Sequence, residues 1–270
     1  MSTVREHTFV ICAYEESPFL EECIQSLFRQ TIGSELIMVT STLNGYISNL
    51  ADKYEIPLRI NTGDKGIVQD WNFAYKQADT KYITIAHQDD IYSKYYTETV
   101  LKEMKQAERP LIGFTDYAEI RQGKIVKNNT MLKIKRLMLL PLTFRYLQKS
   151  KPVRRRILSF GCPICCPSVT FYKENLPDTI FQVGYRSDED WQAWEKLSRL
   201  KGDFVYCSRI LTYHRIHEES ATTAIIGDRI RSKEDYEMFC RFWPKLIAKS
   251  LVRFYSKSEK SNAMTDGSKS

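Results

Sequence analysis

The sequence predicts an α/β fold, a Rossmann-like, mostly parallel sheet flanked by helices. Short apolar runs alternate with amphipathic segments of helical period through the first 117 residues, which implies βαβ units. The chain is 270 residues long and 43% hydrophobic, enough for one sizeable core. No run approaches the ~20 apolar residues that cross a bilayer, so the apolar runs belong to a core.

The elements follow in order. "TFVICAY" (8–14) reads as a strand, and "SPFLEECIQSLFRQ" (17–30) as an amphipathic helix with Ser17 as N-cap and Pro18 at its first position. A strand at 35–41, a helix at 44–54, a short strand at 57–60 and a helix at 67–78 come next. The run 81–87 is a strand, 94–106 a helix and 111–117 a strand. Beyond it, a basic helical stretch at 131–160 is broken by Pro141 and Pro152. A helix near 187–200, strands near 203–206 and 210–215, a helical tail from about 228 and a disordered last dozen residues complete the chain. Right-handed crossovers put the strand carboxyl ends on one edge, where open sheets bind ligands.

Charge is unevenly placed. Between Ile120 and Lys173 there are thirteen Lys or Arg and no Asp or Glu, although the net charge of the whole is only +7. Such a stretch suits a polyanion or an anionic membrane surface. Its cations interleave with large aliphatics, and no RNP, KH or helix-turn-helix signature is present, which favours membrane over nucleic acid. Seven cysteines, an odd number, and an N-terminus without a secretory pattern lead to the expectation of a reduced, cytoplasmic protein with no zinc site.

Three constellations can carry chemistry. "HQDD" ends a strand with Asp89 beside Asp90, two anions that a divalent cation would neutralise; the plain alternative is a solvated or helix-capping pair. "YRSDEDWQAWEKLSRL" opens a helix, where Ser187 could cap and Asp190 could stand at the third position of a capping box. "YHRIHEES" brings His214 and His217 close together, with Arg215 and His217 on one strand face: imidazole can ligate a metal and Arg can bind phosphate, or this is an ordinary strand end. "NTGDKGIVQDWN" lacks a GxGxxG or Walker pattern, so dinucleotide and P-loop readings fail.

The order of these motifs resembles family 2 glycosyltransferases of the GT-A fold: strand–"YEE"–helix, Asn72 in a helix, DD after a strand, "ED-W" opening a later helix, then H-x-x-S, over roughly residues 8 to 220. The resemblance implies one GT-A domain over 1–235, with a nucleotide-sugar-binding half (1–117) and an acceptor half (118–235), then a basic C-terminal helix and tail over 236–270. It implies inverting transfer of a sugar from a nucleotide-diphosphate donor, UDP being the commonest, to a glycan hydroxyl on a polyprenyl-diphosphate carrier in bacterial surface polysaccharide synthesis. The protein would then lie at the inner face of the membrane.

In that scheme Ala13, Tyr14, Glu15, Thr40, Thr42 and Asn72 line the nucleotide pocket, and Asp89 bonds ribose or sugar. Asp90 and His217 hold Mn²⁺ or Mg²⁺. Asp190 is the general base, supported by Glu189. Tyr185, Arg186, Pro167 and Ser168 face the acceptor. His87 stands where the family has an acid, and the second strand ends in Thr40-Ser41-Thr42 where a base-binding Asp is usual. A non-catalytic GT-A-like subunit or a basic adaptor is the alternative. A sugar nucleotidyltransferase would need a glycine-rich loop after the first strand, and "CAYEESP" offers none.

Overall fold

A computed structural model describes the backbone of residues 5–216 and 229–265, and side chains within them except at 229–230 and 256–265. The first half follows the expected alternation: β1 (His7–Ala13), α1 (Leu20–Phe28), β2 (Glu35–Thr40), α2 (Gly45–Lys53), β3 (Leu58–Ile60), α3 (Ile67–Gln77) and β4 (Tyr82–His87). A short β5 (Ile91–Tyr92), α4 (Tyr96–Lys105), β6 (Pro110–Arg121) and β7 (Lys124–Val126) follow. The second half contains α5 (Thr130–Leu139), α6 (Arg145–Gln148), α7 (Lys151–Leu158), β8 (Val169–Tyr172), α8 (Glu189–Ser198), β9 (Asp203–Ile216), α9 (Arg229–Cys240) and α10 (Lys245–Thr265).

Among the described residues, nine strands join one sheet in the order β3-β2-β1-β4-β8-β6-β9-β5, with β7 on β6. The sheet is more mixed than expected. β1 to β4 pair in parallel, as do β6 and β9, but β8 runs antiparallel between β4 and β6. "SVTFY" gives no local sign of its direction; insertion between two long strands sets it. The two strands expected near 203–206 and 210–215 are one strand, β9, whose pairing with β6 shifts register around Thr115–Tyr117.

Successive residues of β1 feed opposite cores. Val10 packs with Ile85, Phe171, Trp191 and Trp194 on one face, while Phe9 and Ile11 pack with Leu20, Ile24 and Tyr96 on the other. A strand covered on both faces needs an unbroken apolar run, hence "TFVICA".

Several expected boundaries move. Ser17 does not cap α1: its hydroxyl accepts from Phe19 N–H (3.3 Å) in a turn that delays the helix to Leu20. Pro141 sits in a 3₁₀ turn after α5, and Pro152 opens α7, with Ser150 as cap, rather than interrupting it. The division at residue 235 cuts through α9, whose Glu234, Asp235, Met238 and Phe239 are all buried, so the C-terminal helices belong to the body of the fold. The backbone is helical to Thr265, beyond the expected start of the tail.

Candidate active site

Parallel pairing aligns the carboxyl ends of β1, β2 and β4, with Ala13 beside Thr40 and Cys12 beside His87. The loops leaving this edge are clasped to one another. The Gln88 side chain accepts from Tyr14 N–H (2.9 Å) and donates to Tyr14 C=O (3.0 Å). Glu15 adopts φ 51°, a left-handed conformation rare for a residue with a side chain, and its N–H donates to Thr42 Oγ1 (2.7 Å). Thr42 N–H in turn donates to Thr40 Oγ1 (3.0 Å). Backbone strain of this sort persists where the surroundings over-determine it, commonly at ligand sites. Tyr14 remains exposed, whereas Ala13 and Thr40 are buried and back the pocket.

An acid does stand at the end of β2, supplied by another element. Asp70, in the first turn of α3, accepts from Ser41 Oγ and from Asn61 Nδ2, each at 2.7 Å. Sequence reasoning missed it because the partner of Ser41 lies 29 positions away.

The Asp89–Asp90 pair divides differently from the expectation. β5 pairs antiparallel with β9, Ile91 opposite Tyr213, which carries Asp90 against His214. Asp90 is 0% exposed. Its Oδ1 accepts from His214 Nδ1 (3.0 Å) and from Arg215 N–H (2.8 Å), while Oδ2 is buried 3.9 Å from His87 Nδ1 with no hydrogen-bond partner. Burial works to raise the Asp90 pKa, but the charge and hydrogen bond of His214 hold it below the usual value. Burial likewise works to lower that of His214, and Asp90 more than offsets it. Asp90 is thus an anchor for β9, while Asp89, half-buried, is the carboxylate nearer solvent.

Arg215 is committed as well. It donates to Asp89 C=O (2.9 Å) and to Glu22 (2.6 Å) and lies over the Phe19 ring, which leaves the expected phosphate role without a free fork. His87 stacks on Trp71 at 4.9 Å and 17°, filling the place of the missing acid with a ring pair.

The second carboxylate cluster opens α8. The helix begins at Glu189, and neither Ser187 nor Asp190 caps it as a capping box would. Glu234, reaching from α9, does the equivalent work. Its carboxylate accepts from the N–H groups of Arg186, Ser187 and Asp188 and from Ser187 Oγ, at 2.9–3.2 Å. Asp190 Oδ1 accepts from Trp191 N–H (2.6 Å), and its Oδ2 meets Cys162 Sγ at 3.5 Å. Burial raises the Asp190 pKa, against the opposing pull of Lys135. Glu189 is pushed up to about 7, by burial first and then by Asp190 and Glu234. Raised carboxylates of this kind are suited to accepting a proton near neutrality.

The two clusters meet across the turn 162–168. The buried Cys165 thiol is raised by burial and then by the charges of both Asp90 and Asp190. Lys135 bridges on the other side: its Nζ donates to Tyr117 OH (2.9 Å), and the Tyr117 ring stands edge-on to His214 at 6.4 Å. Cys162 and Cys165 have CxxC spacing, yet neither is in a disulfide.

Other expected site residues are placed elsewhere. Asn72 is buried, and its amide donates to Phe181 C=O and accepts from the N–H groups of Ile180 and Phe181, which ties a loop to α3. Pro167 and Ser168 are buried, their carbonyls taken by Tyr92 and Tyr96, so they present nothing to an acceptor. Tyr185 is half-buried and receives Arg241 (2.7 Å), and Arg186 is exposed. His217 lies outside the described residues. Glu234 and Lys135 were missed, with no local signal; His214 stood within "YHRIHEES", and the structure gives it to Asp90.

Among the described residues, no group of three or more His, Cys, Asp or Glu side chains could cage a metal ion. A divalent cation here would rest on Asp89, with the phosphates of a bound donor as further hard oxygen ligands; Mg²⁺-type ions commonly use one or two carboxylates with substrate phosphates. Among the described residues, no helix is long and apolar enough to cross a membrane.

A nine-stranded mixed sheet flanked by helices, with Asp89 following β4 and Glu189–Asp190 opening α8, belongs to the GT-A class of α/β folds. The sequence profile of Glycosyl transferase family 2 matches residues 8–181, and the chain belongs to that family. A curated relative, the uncharacterized glycosyltransferase EpsJ of Bacillus subtilis (strain 168), is 29% identical over 117 residues, 42% of this chain and 34% of that protein, so the match spans about a third of the relative's length. Among solved structures, S. aureus TarS 1-349 in complex with UDP-GlcNAc superposes with a TM-score of 0.62 at 14% identity, over 92% of this chain and 70% of the other. The mannosyltransferase PcManGT from Pyrobaculum calidifontis, in complex with GDP-Man and Mn²⁺, gives 0.62 at 14% identity, over 99% of this chain and 77% of that one. At such identities the likeness concerns the fold.

Proposed function

We propose that the protein is an inverting glycosyltransferase that moves a sugar from a nucleotide-diphosphate donor, a UDP-sugar first, to a hydroxyl of a glycan carried on a lipid diphosphate. The observation that carries this reading is the raised Glu189–Asp190 pair at the start of α8, whose Asp190, together with Asp90, acts on the Cys165 thiol in the 162–168 turn. In this reading the donor lies over the β1–β4 edge, its nucleotide against Tyr14 and the Glu15–Thr42 clasp, with Asp70 as an acceptor behind Ser41. Asp190 takes the proton of the attacking hydroxyl, with Glu189 beside it and Tyr185 and Arg186 on the acceptor side. A bound Mn²⁺ or Mg²⁺ would offset charge on the departing diphosphate. The UDP and Mn²⁺ in the two structural neighbours support this choice of ligands.

Calorimetry of the protein with a panel of nucleotide-sugars, with and without Mn²⁺, is the direct test. Metal-dependent binding of one donor, lost in Asp89→Asn, is expected. Absence of binding across the panel would favour a non-catalytic GT-A-like subunit, a reading that His87 in place of an acid also supports.

The pH profile supplies a second expectation. Glu189 faces Asp190 and Glu234, which raise it, and Arg231, which lowers it, with Asp188 alongside. A carboxylate with a raised pKa is ionised only above that value, so activity should fall as pH drops through about 7. Glu189→Gln should displace that acid limb; an unchanged limb would show that Glu189 does not set it.

A further inference from the structure

Helix α5 is amphipathic in the wrong sense for a helix that only covers a core. Leu132 and Leu139, and Leu142 beyond them, are buried, as expected of an inner face. Yet its outer face also carries the exposed Ile134 and Leu137, and the 3₁₀ turn and residue that follow add exposed Leu140 and Phe144, with Tyr146 alongside in α6. Leu137 is 69% exposed and Tyr146 68%. Scattered exposed apolar side chains need no explanation, but a cluster of them within one short stretch is a surface awaiting a partner.

Charge says which partner. The cluster lies inside the segment 120–173, which has thirteen cations and no carboxylate. Some of these cations are neutralised from outside it: Arg136 pairs with Asp116, Arg145 with Glu103, and Lys149 with Glu108 at 3.9 Å. Lys127, Lys133 and Lys151 are exposed and have no ion-pair partner among the described residues.

A second element repeats the composition. On α10, Leu246 is 84% and Phe254 78% exposed, beside exposed Ile247, Lys245, Lys249 and Arg253. This helix is fixed to the end of α7, where Trp243 Nε1 donates to Ser159 C=O (2.7 Å), its ring meets the exposed Phe160 at 5.6 Å, and Arg156 stacks on it at 4.9 Å. Nucleic-acid surfaces present cations, stacking rings and hydrogen-bond donors, not aliphatic tips. Aliphatic tips fringed by Lys and Arg match the boundary between acyl chains and anionic headgroups.

We infer that the outer faces of α5–α6 and of α10 form a surface that docks on an anionic lipid bilayer. The surface stands apart from the transfer chemistry, because no side chain in it belongs to the Asp89 or Asp190 clusters. The test is therefore run without donor or acceptor. The full chain is floated with vesicles of phosphatidylcholine alone and of phosphatidylcholine mixed with phosphatidylglycerol. Binding to the mixed vesicles, weakening as salt rises, is expected. Leu137→Glu with Phe144→Glu, and separately Lys133→Glu with Lys151→Glu, should each lower partitioning at least about tenfold, since each adds or reverses charge at the surface. Thermal melts of both variants should match the parent, because all four side chains are exposed. Equal binding to both vesicle types, or binding unaffected by either double variant, would overturn the proposal. So would sedimentation showing that these substitutions dissociate a dimer, or retention on DNA without binding to any vesicle.

Discussion

Replacement of Asp190 by Asn should lower sugar transfer by about 10²–10⁴-fold while leaving the protein folded. Asparagine retains an oxygen for Trp191 N–H, so the 2.6 Å contact at the start of α8 survives. What it loses is a carboxylate that burial has made more basic than an ordinary Asp. Donor binding, measured by calorimetry, should change little, because the donor edge lies at β1–β4. Transfer within about threefold of the parent would remove Asp190 as base, since a positioned general base contributes far more than that. The residue would then be left with its contacts to Trp191 and Cys162 alone.

Replacement of Asp90 by Ala should produce a large effect of another kind, a loss of stability of about 3–5 kcal/mol. The carboxylate is wholly buried and accepts from His214 Nδ1 and Arg215 N–H, so truncation leaves two buried donors without their acceptor. At roughly 2–4 °C per kcal/mol for a domain of this size, the melting temperature should fall on the order of 10 °C. Asp89→Asn makes the contrast: its side chain is only partly buried, so the melt should fall less than for Asp90→Ala while metal-dependent donor binding fails. If Asp90→Ala melts with the parent but no longer binds donor, the first expectation, Asp90 as metal ligand, is restored and the anchor assignment falls.

The partners of Asp90 show where sequence reading runs short. Adjacent residues at a strand end point to different sides, and the choice between them is made by the neighbouring strand. Here the neighbour is β9, whose His214 stands 124 positions from Asp90. Glu234 is hidden for the same reason, since nothing in "SKEDYEMF" signals that one of its acids will hold the backbone at 186–188. Asn72, by contrast, sits in the helix where it was expected, yet its amide is taken by the 180–181 loop.

By itself the sequence determined the α/β alternation through β6, the strand end at 87–90, the helix opening at 189 and the cationic stretch between them. These are local properties: periodicity, capping residues and composition act over a few positions and survive without knowledge of distant partners. The tertiary structure decided the direction of β8, the bulged union of β9, the division of labour between Asp89 and Asp90, and the closure of the α8 start by Glu234. Each depends on which residues far apart in the chain are brought into register, and burial, charge pairing and hydrogen bonding take effect only once that register exists.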